Sequence, residues 1–213
     1  MSNILVCLSV LLVLAALFFG LSRQLGRPRG WFGRRFMAKA LNRGNRRLLD
    51  DAVEALAPAS GERIVDVGFG GGHALDLIRE RVAPARPAGV DISTVMIEQG
   101  RARWGDGVDL HLADVAAMPL PDGSVDGLLS VNTIYFWLDP AAALREIHRV
   151  LRPGGRLVLG VQRKAFLLLS PVSWFGFRLY STRQLEQLLR AAGFEVQVRE
   201  KARGELIVTG RPA

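Results

Sequence analysis

The chain has little of what staples small secreted or metal-bound proteins together. Its 213 residues include one cysteine, Cys7, so no disulfide can close within it. The three histidines, His73, His111 and His148, are scattered, and no cysteine–histidine set has ligand spacing. No metal is therefore expected. Charge is missing from residues 1–22, and acids are missing from residues 23–47. That second stretch holds nine cations: Arg23, Arg27, Arg29, Arg34, Arg35, Lys39, Arg43, Arg46 and Arg47. The whole chain carries +8, so residues 48–213 sit near −1. A nucleic-acid enzyme wants its basic residues spread over a folded face. Here they are confined to one short segment, so no nucleic-acid partner is expected.

What is present first is a long apolar run, "NILVCLSVLLVLAALFFGL", residues 3–21. As a helix it would extend roughly 28 Å at about 1.5 Å per residue, close to a bilayer's hydrocarbon core. A secretory signal would want a basic start, a shorter apolar run and a small-x-small cleavage site. None of these is here, and a core helix is rarely so uniformly apolar. Residues 1–22 therefore read as an uncleaved transmembrane anchor. Cations crowd its C-terminal side alone, which places the rest of the chain in the cytoplasm. Residues 23–47 form a basic juxtamembrane segment. In "RRFMAKALNRGNRRLL" (34–49), Phe36, Met37, Ala40, Leu41, Leu48 and Leu49 recur near helical spacing. This segment reads either as an amphipathic helix on anionic lipid or as the first helix of the following domain.

Residues 48–213 alternate strand and helix patterns. Helices are expected at 48–57, 72–82, 94–103, 139–155 and 181–194, and strands at 63–68, 88–92, 108–115, 125–132, 156–162, 195–200 and 204–211. Asp139 and Pro140 open one helix, and Pro153-Gly154-Gly155 should stop it. A Ser181…Gln184 capping box opens another. Such alternation implies an α/β fold with a mostly parallel sheet and helices on both faces. The last two strands are too close in sequence for a crossover helix, so they must pair antiparallel.

The chemistry concentrates in "RIVDVGFGGGHALDLIRE", residues 63–80. Gly68, Gly70, Gly71 and Gly72 follow a strand, where bare backbone lets a ligand approach closely. Nucleotide cofactors of several kinds use such turns. The dinucleotide fingerprint would need a third glycine where His73 stands, and the phosphate loop would need a lysine that is missing. Asp66 lies just ahead of the glycines and suits a cationic ligand better than a pyrophosphate. Asp91 ends the second strand, 23 residues after Gly68, where a carboxylate can hold ribose hydroxyls. Asp114 ends the third strand and is placed to meet an adenine amino group.

These pieces resemble the class I S-adenosylmethionine-dependent methyltransferases over about residues 45–211. The likeness is closest to small bacterial enzymes of the quinone-biosynthesis and phospholipid-methylating kind. The matching stretches are "VDVGFGGG", "GVDIS", "ADVAAMPLPDGSVDGLLSVNTIYFW", "EIHRVLRPGGRLVLG" and "YSTRQLEQLLRAAGFEVQV". The resemblance implies a Rossmann-like seven-stranded sheet with an antiparallel last strand, and S-adenosyl-L-methionine as cofactor. It implies that Asp66, Gly68, Gly70 and Gly72 hold the amino-acid part of the cofactor. Asp91 with Ile92 would hold the ribose, and Asp114 with Val115 would frame the adenine. Asn132 would face the transferred methyl group.

"NTIYFW" (132–137) lacks the Asn-Pro-Pro-Tyr motif that the family ties to methylation of adenine or glutamine amino groups. Asn132 and Tyr135 are the candidate catalytic residues, with Thr133 as a further polar group and Phe136 and Trp137 as walls or core. The connection "KAFLLLSPVSWFGFRLY" (164–180) is unusually apolar for a loop. With the anchor, it points to a small or lipophilic acceptor, a quinone or a lipid head group. Two alternatives stay open at this stage: a membrane protein that binds the cofactor without turnover, and a nucleic-acid methyltransferase.

Overall fold

The computed structural model describes residues 2–33 and 38–213; Phe36 and Met37 of the expected amphipathic pattern lie outside the described residues. Helix α1 (Ser2–Gly26) contains a stretch, Val6–Gly26, that is long and apolar enough to cross a membrane, with mean hydropathy 2.3. Its side chains are mostly exposed, unlike those of a core helix. Helix α2 (Ala38–Leu56) follows. It runs through the expected boundary at residue 47, so Arg43, Arg46 and Arg47 share one helix with the core residues that come after them. Leu48, Ala52, Val53 and Leu56 fall at i, i+4, i+5 and i+8 and are fully buried. Arg156 closes this helix, donating from Nε to the Leu56 carbonyl and from Nη2 to the Ala57 carbonyl.

Apart from short helical turns such as Gly30–Phe32 and Lys164–Leu167, the remaining elements are β1 (Ile64–Val67), α3 (His73–Val82), β2 (Ala88–Asp91), α4 (Thr94–Trp104), β3 (Asp109–Leu112), β4 (Val125–Val131), α5 (Pro140–Val150), β5 (Leu151–Gln162), α6 (Thr182–Ala191), β6 (Phe194–Glu200) and β7 (Glu205–Pro212). They form one seven-stranded sheet in the order β3-β2-β1-β4-β5-β7-β6. Strands β1 to β5 pair in parallel, and β7 runs antiparallel to both β5 and β6. This is the Rossmann-like arrangement expected. The chain winds outward from β1 to β3, then returns to β4, so the strand order reverses between β1 and β4.

Both faces of the sheet are covered. On one, Leu144 and Ile147 of α5 and Leu185 and Leu189 of α6 pack on Val65, Val67, Leu128 and Leu157. On the other, α2 and α3 pack on Ile64, Leu129 and Val158. The period of two along β1 puts Asp66 on the face of Ile64, under α2 and α3. Asp139 caps α5 by accepting from Ala142 N at 2.9 Å, and Ser181 with Gln184 forms the capping box expected at α6.

One boundary differs from expectation. Helix α5 ends at Val150, not at the Pro-Gly-Gly stop. Leu151 already pairs with Val125, and a register shift between Val125 and Gly127 absorbs residues 152–155, with Gly154 at φ +78°. The Pro-Gly-Gly run is a bulge inside the strand pairing rather than a helix stop. The third strand is also shorter than expected, which leaves Asp114 and Val115 in the loop beyond β3.

Candidate active site

A cavity of about 380 Å³ opens at the carboxyl ends of β1, β2 and β4, over the point where the strand order reverses. Of the residues singled out in the sequence, Gly68, Gly70, Asp91, Ile92, Asp114, Val115, Asn132 and Tyr135 line it. Asp66 and Gly72 do not.

The glycine turn has two kinds of glycine. Gly68, Gly70 and Gly72 all have positive φ, at +69°, +50° and +75°. A Cβ on Gly72 would lie 2.2 Å from the indole of Trp104, and one on Gly68 would lie 2.4 Å from the Thr133 methyl. These two positions are bare because other side chains occupy the space. Trp104 is held there by its Nε1, which donates to Asp76 Oδ1 at 2.8 Å. Gly72 also precedes α3 as its N-cap. Gly70 N points to Asp91 Oδ2 at 3.4 Å, so the turn and the second strand end are joined at the cavity.

Asp91 is almost fully buried. Its Oδ1 accepts from Ser93 N at 2.8 Å. Burial raises its pKa to about 6, opposed by those backbone N–H groups and by the Arg27 cation. Asp66 is buried completely, and its Oδ2 has no hydrogen-bond partner. Burial first, and the neighbouring Asp91 second, push its pKa up to about 8. The carboxylate expected to attract a cation is thus protonated at neutral pH in the free protein. Asp114 Oδ1 accepts from Ala116 N at 2.9 Å, fixing the loop after β3.

At the far end of the cavity Asn132 takes the left-handed conformation, φ +55°, directly after β4. Asparagine tolerates this region better than most side chains. Its Nδ2 donates to Asn45 Oδ1 of α2 at 3.0 Å. The Tyr135 hydroxyl accepts from Gln162 N at 2.5 Å and lies 3.2 Å from both Asn132 Oδ1 and the Gln162 carbonyl. Burial pushes the Tyr135 phenol well above its usual range, so it acts as a fixed hydrogen-bonding group rather than a base. Phe136 and Trp137 serve as wall and core at once. Both line the cavity, while Phe136 packs edge-on to Phe177 with centroids 4.5 Å apart.

Several lining residues carry no local signal. Asn45 reaches the cavity from α2, Gln162 from the end of β5, and Leu25, Gly26 and Pro28 from the end of α1. The Pro28 carbonyl accepts from Ser93 Oγ at 2.7 Å, and the Ser93 side chain also caps α4. A Cβ on Gly26 would meet the Phe136 ring at 2.6 Å. The exit of α1 is therefore a wall of the site, held against both the Asp91 and the Phe136 ends.

These residues suit a cationic nucleoside better than a phosphate ligand. Among the described residues, the cavity lining contains two carboxylates, Asp91 and Asp114, and no lysine, arginine or histidine. Asp66, buried behind the lining with Oδ2 unpartnered, becomes an acceptor for positive charge only once its proton leaves. Val90, Ile92, Met96 and Val115 supply apolar surface of the kind a purine face needs.

Comparison with known proteins agrees with this geometry. Residues 65–159 match the family profile of a methyltransferase domain. Over 153 residues the chain is 30% identical to the uncharacterized methyltransferase YdaC of Bacillus subtilis, covering 71% of this chain and 81% of that one. Over 110 residues it is 41% identical to the ubiquinone/menaquinone biosynthesis C-methyltransferase UbiE of Rubrivivax gelatinosus, covering 50% of this chain and 41% of that one. The chain spans only 32% and 58% of the length of two further curated relatives it matches. A chain in the Haloferax volcanii complex of the Trm112 methyltransferase activator with a methyltransferase superposes with TM-score 0.74. It is 22% identical, covers 82% of this chain and 93% of that one, and is a likeness of fold.

Proposed function

The chain belongs to the S-adenosylmethionine-dependent methyltransferases, and on that premise we propose that it is a membrane-anchored enzyme that methylates a lipophilic acceptor. A quinone-like ring or a lipid head group fits best. The observation that carries this reading is the shared wall: the end of the apolar helix α1 and the apolar segment 164–177 close the same cavity that Asp91 and the glycine turn open onto. The likeness to a quinone C-methyltransferase supports a ring acceptor. The cations that follow α1 support a cytoplasmic catalytic domain.

When bound, S-adenosylmethionine supplies an electrophilic methyl group on a sulfonium centre. Asp91 and Ile92 would hold its ribose, Asp114 and Val115 its adenine, and the Gly68–Gly71 turn its amino-acid part. The residues at the acceptor end do the rest by placement. Asn132 is fixed by Asn45 and Tyr135, and offers an amide to a polar substituent on the acceptor. Phe136, Trp137 and Phe177 hold an apolar ring and keep water out. The acidic groups of the lining lie at the ends of β2 and β3, two and three strands from β4 and Asn132. The acceptor therefore reacts as an anion that has already given its proton to solvent, and the reaction rests on positioning and desolvation rather than on a dedicated base.

The test is the lipid and quinone profile of cells lacking the protein, rescued with the wild type or with Asp91→Ala. An unmethylated precursor should accumulate and be cleared by the wild type alone. An unchanged profile would overturn the lipophilic-acceptor reading.

A further inference from the structure

Resting on the anchored reading above, we propose that residues 164–177, between β5 and α6, form a docking element that sits in the headgroup region of a lipid bilayer. It carries the mouth of the cavity to the membrane, so the acceptor enters from the lipid side.

The segment has two faces. On the outer one, Phe166 and Leu168 are each 48% exposed, Leu169 is 79% exposed and Trp174 is 64% exposed. On the inner one, Leu167, Ser170, Val172, Ser173 and Phe177 line the cavity. The segment is internally braced. The buried Ser173 hydroxyl lies 2.6 Å from the Leu167 carbonyl and 2.9 Å from that of Ser170, and Trp174 Nε1 donates to the Leu168 carbonyl at 3.1 Å. The exposed apolar side chains are therefore presented by a fixed surface.

The occupant follows from where that surface lies. The Ser22 hydroxyl of α1, buried, donates to the Phe175 carbonyl. One turn earlier, Phe19 packs edge-on to Phe175 with centroids 6.5 Å apart. Three residues at about 1.5 Å each put that contact about 4.5 Å inside Ser22, the last residue before the first cation, Arg23. A protein partner on this face would have to share the bilayer edge with α1. Charge agrees with lipid. Residues 163–185 contain no acid, and Lys164 and Arg178 there are exposed, as are Arg23, Arg27 and Arg29 at the end of α1, while Arg163 pairs with Glu200. Exposed cations together with exposed Trp, Phe and Leu side chains are the composition of an interfacial surface on anionic lipid. A water-filled approach would gain nothing from such a face.

Single cysteines placed in a Cys7→Ser background of the full chain test this, each labelled with a polarity-sensitive fluorophore in anionic vesicles. Spin labels sit on the lipids either near the headgroup or near the chain end. Leu12→Cys, in the middle of α1, should be quenched by the deep label. Leu169→Cys should lose about half its emission to the shallow label. Asp122→Cys, on the loop before β4 at the amino-terminal ends of the parallel strands, opposite the cavity, should be quenched by neither. Quenching at Leu12→Cys without quenching at Leu169→Cys would overturn the docking element and leave the anchor standing. No quenching at Leu12→Cys would overturn the anchored reading and this inference with it.

Discussion

Replacing Asp66 by asparagine should stabilise the free protein, and by an amount that grows with pH. The side chain is fully buried, its Oδ2 has no partner, and its pKa is raised from 3.8 to about 8. In the unfolded chain the carboxyl ionises near its ordinary value. Below about pH 4 both states are protonated, and the group costs nothing. Above that, unfolding releases a proton that the folded state must keep, so stability falls until the folded group also ionises near pH 8. Linkage gives about 1.4 kcal/mol per pH unit in that window. The cost is then about 1.7 kcal/mol at pH 5 and about 4.3 kcal/mol at pH 7. Asparagine has nearly the same shape and does not titrate. Its advantage over wild type should therefore widen by about 2.6 kcal/mol between these pH values. Denaturant unfolding of the full chain in mild detergent, followed by tryptophan fluorescence, reads this directly. A gap that stays constant from pH 5 to pH 7 would refute the account of a buried, protonated Asp66. A cationic ligand above the turn should draw the proton off, so cofactor affinity should rise more steeply with pH in wild type than in the variant, where Asp91 alone titrates, near pH 6.

Three further outcomes follow from the geometry. Gly72→Ala should destabilise by about 3 kcal/mol, the sum of overpacking against Trp104 and a left-handed alanine, and denaturation would show it. Tyr135→Phe leaves the buried Gln162 N–H without its acceptor and should cost about 1–3 kcal/mol in stability, with turnover falling further as Asn132 loses its support. Asp91→Ala should weaken S-adenosylmethionine binding at least tenfold, about 1.4 kcal/mol by calorimetry, and unchanged affinity would remove Asp91 from the ribose.

Much of the sheet could be read from local signals. Asp139-Pro140 and the Ser181–Gln184 box mark their helices because caps act over three or four residues. The antiparallel ending follows from the short link between β6 and β7 alone. The Pro-Gly-Gly run misleads because the same residues suit a helix stop and a strand bulge. What decides between them is Val125, 26 residues upstream of Leu151, pairing before the bulge begins. The glycine turn shows the same limit. Gly72 looks like a ligand glycine, yet it stays outside the cavity and Trp104 claims its space, while Gly68 lines the cavity and is also kept bare by Thr133 across the fold. Asp66 reads as a free carboxylate until its burial is known. The walls contributed by Asn45, Gln162 and Pro28 are set by tertiary packing, and no local periodicity marks them.

The claim at the centre of this account is methyl transfer to a membrane-borne acceptor from a cofactor seated against Asp91. The direct measurement supplies the full chain, in native membranes, with S-adenosylmethionine labelled on its methyl group. Label should pass into the solvent-extractable lipid fraction with wild type and fail to do so with Asp91→Ala. Label that stays on a cofactor shown to bind, or that appears only in nucleic acid or protein, would contradict it.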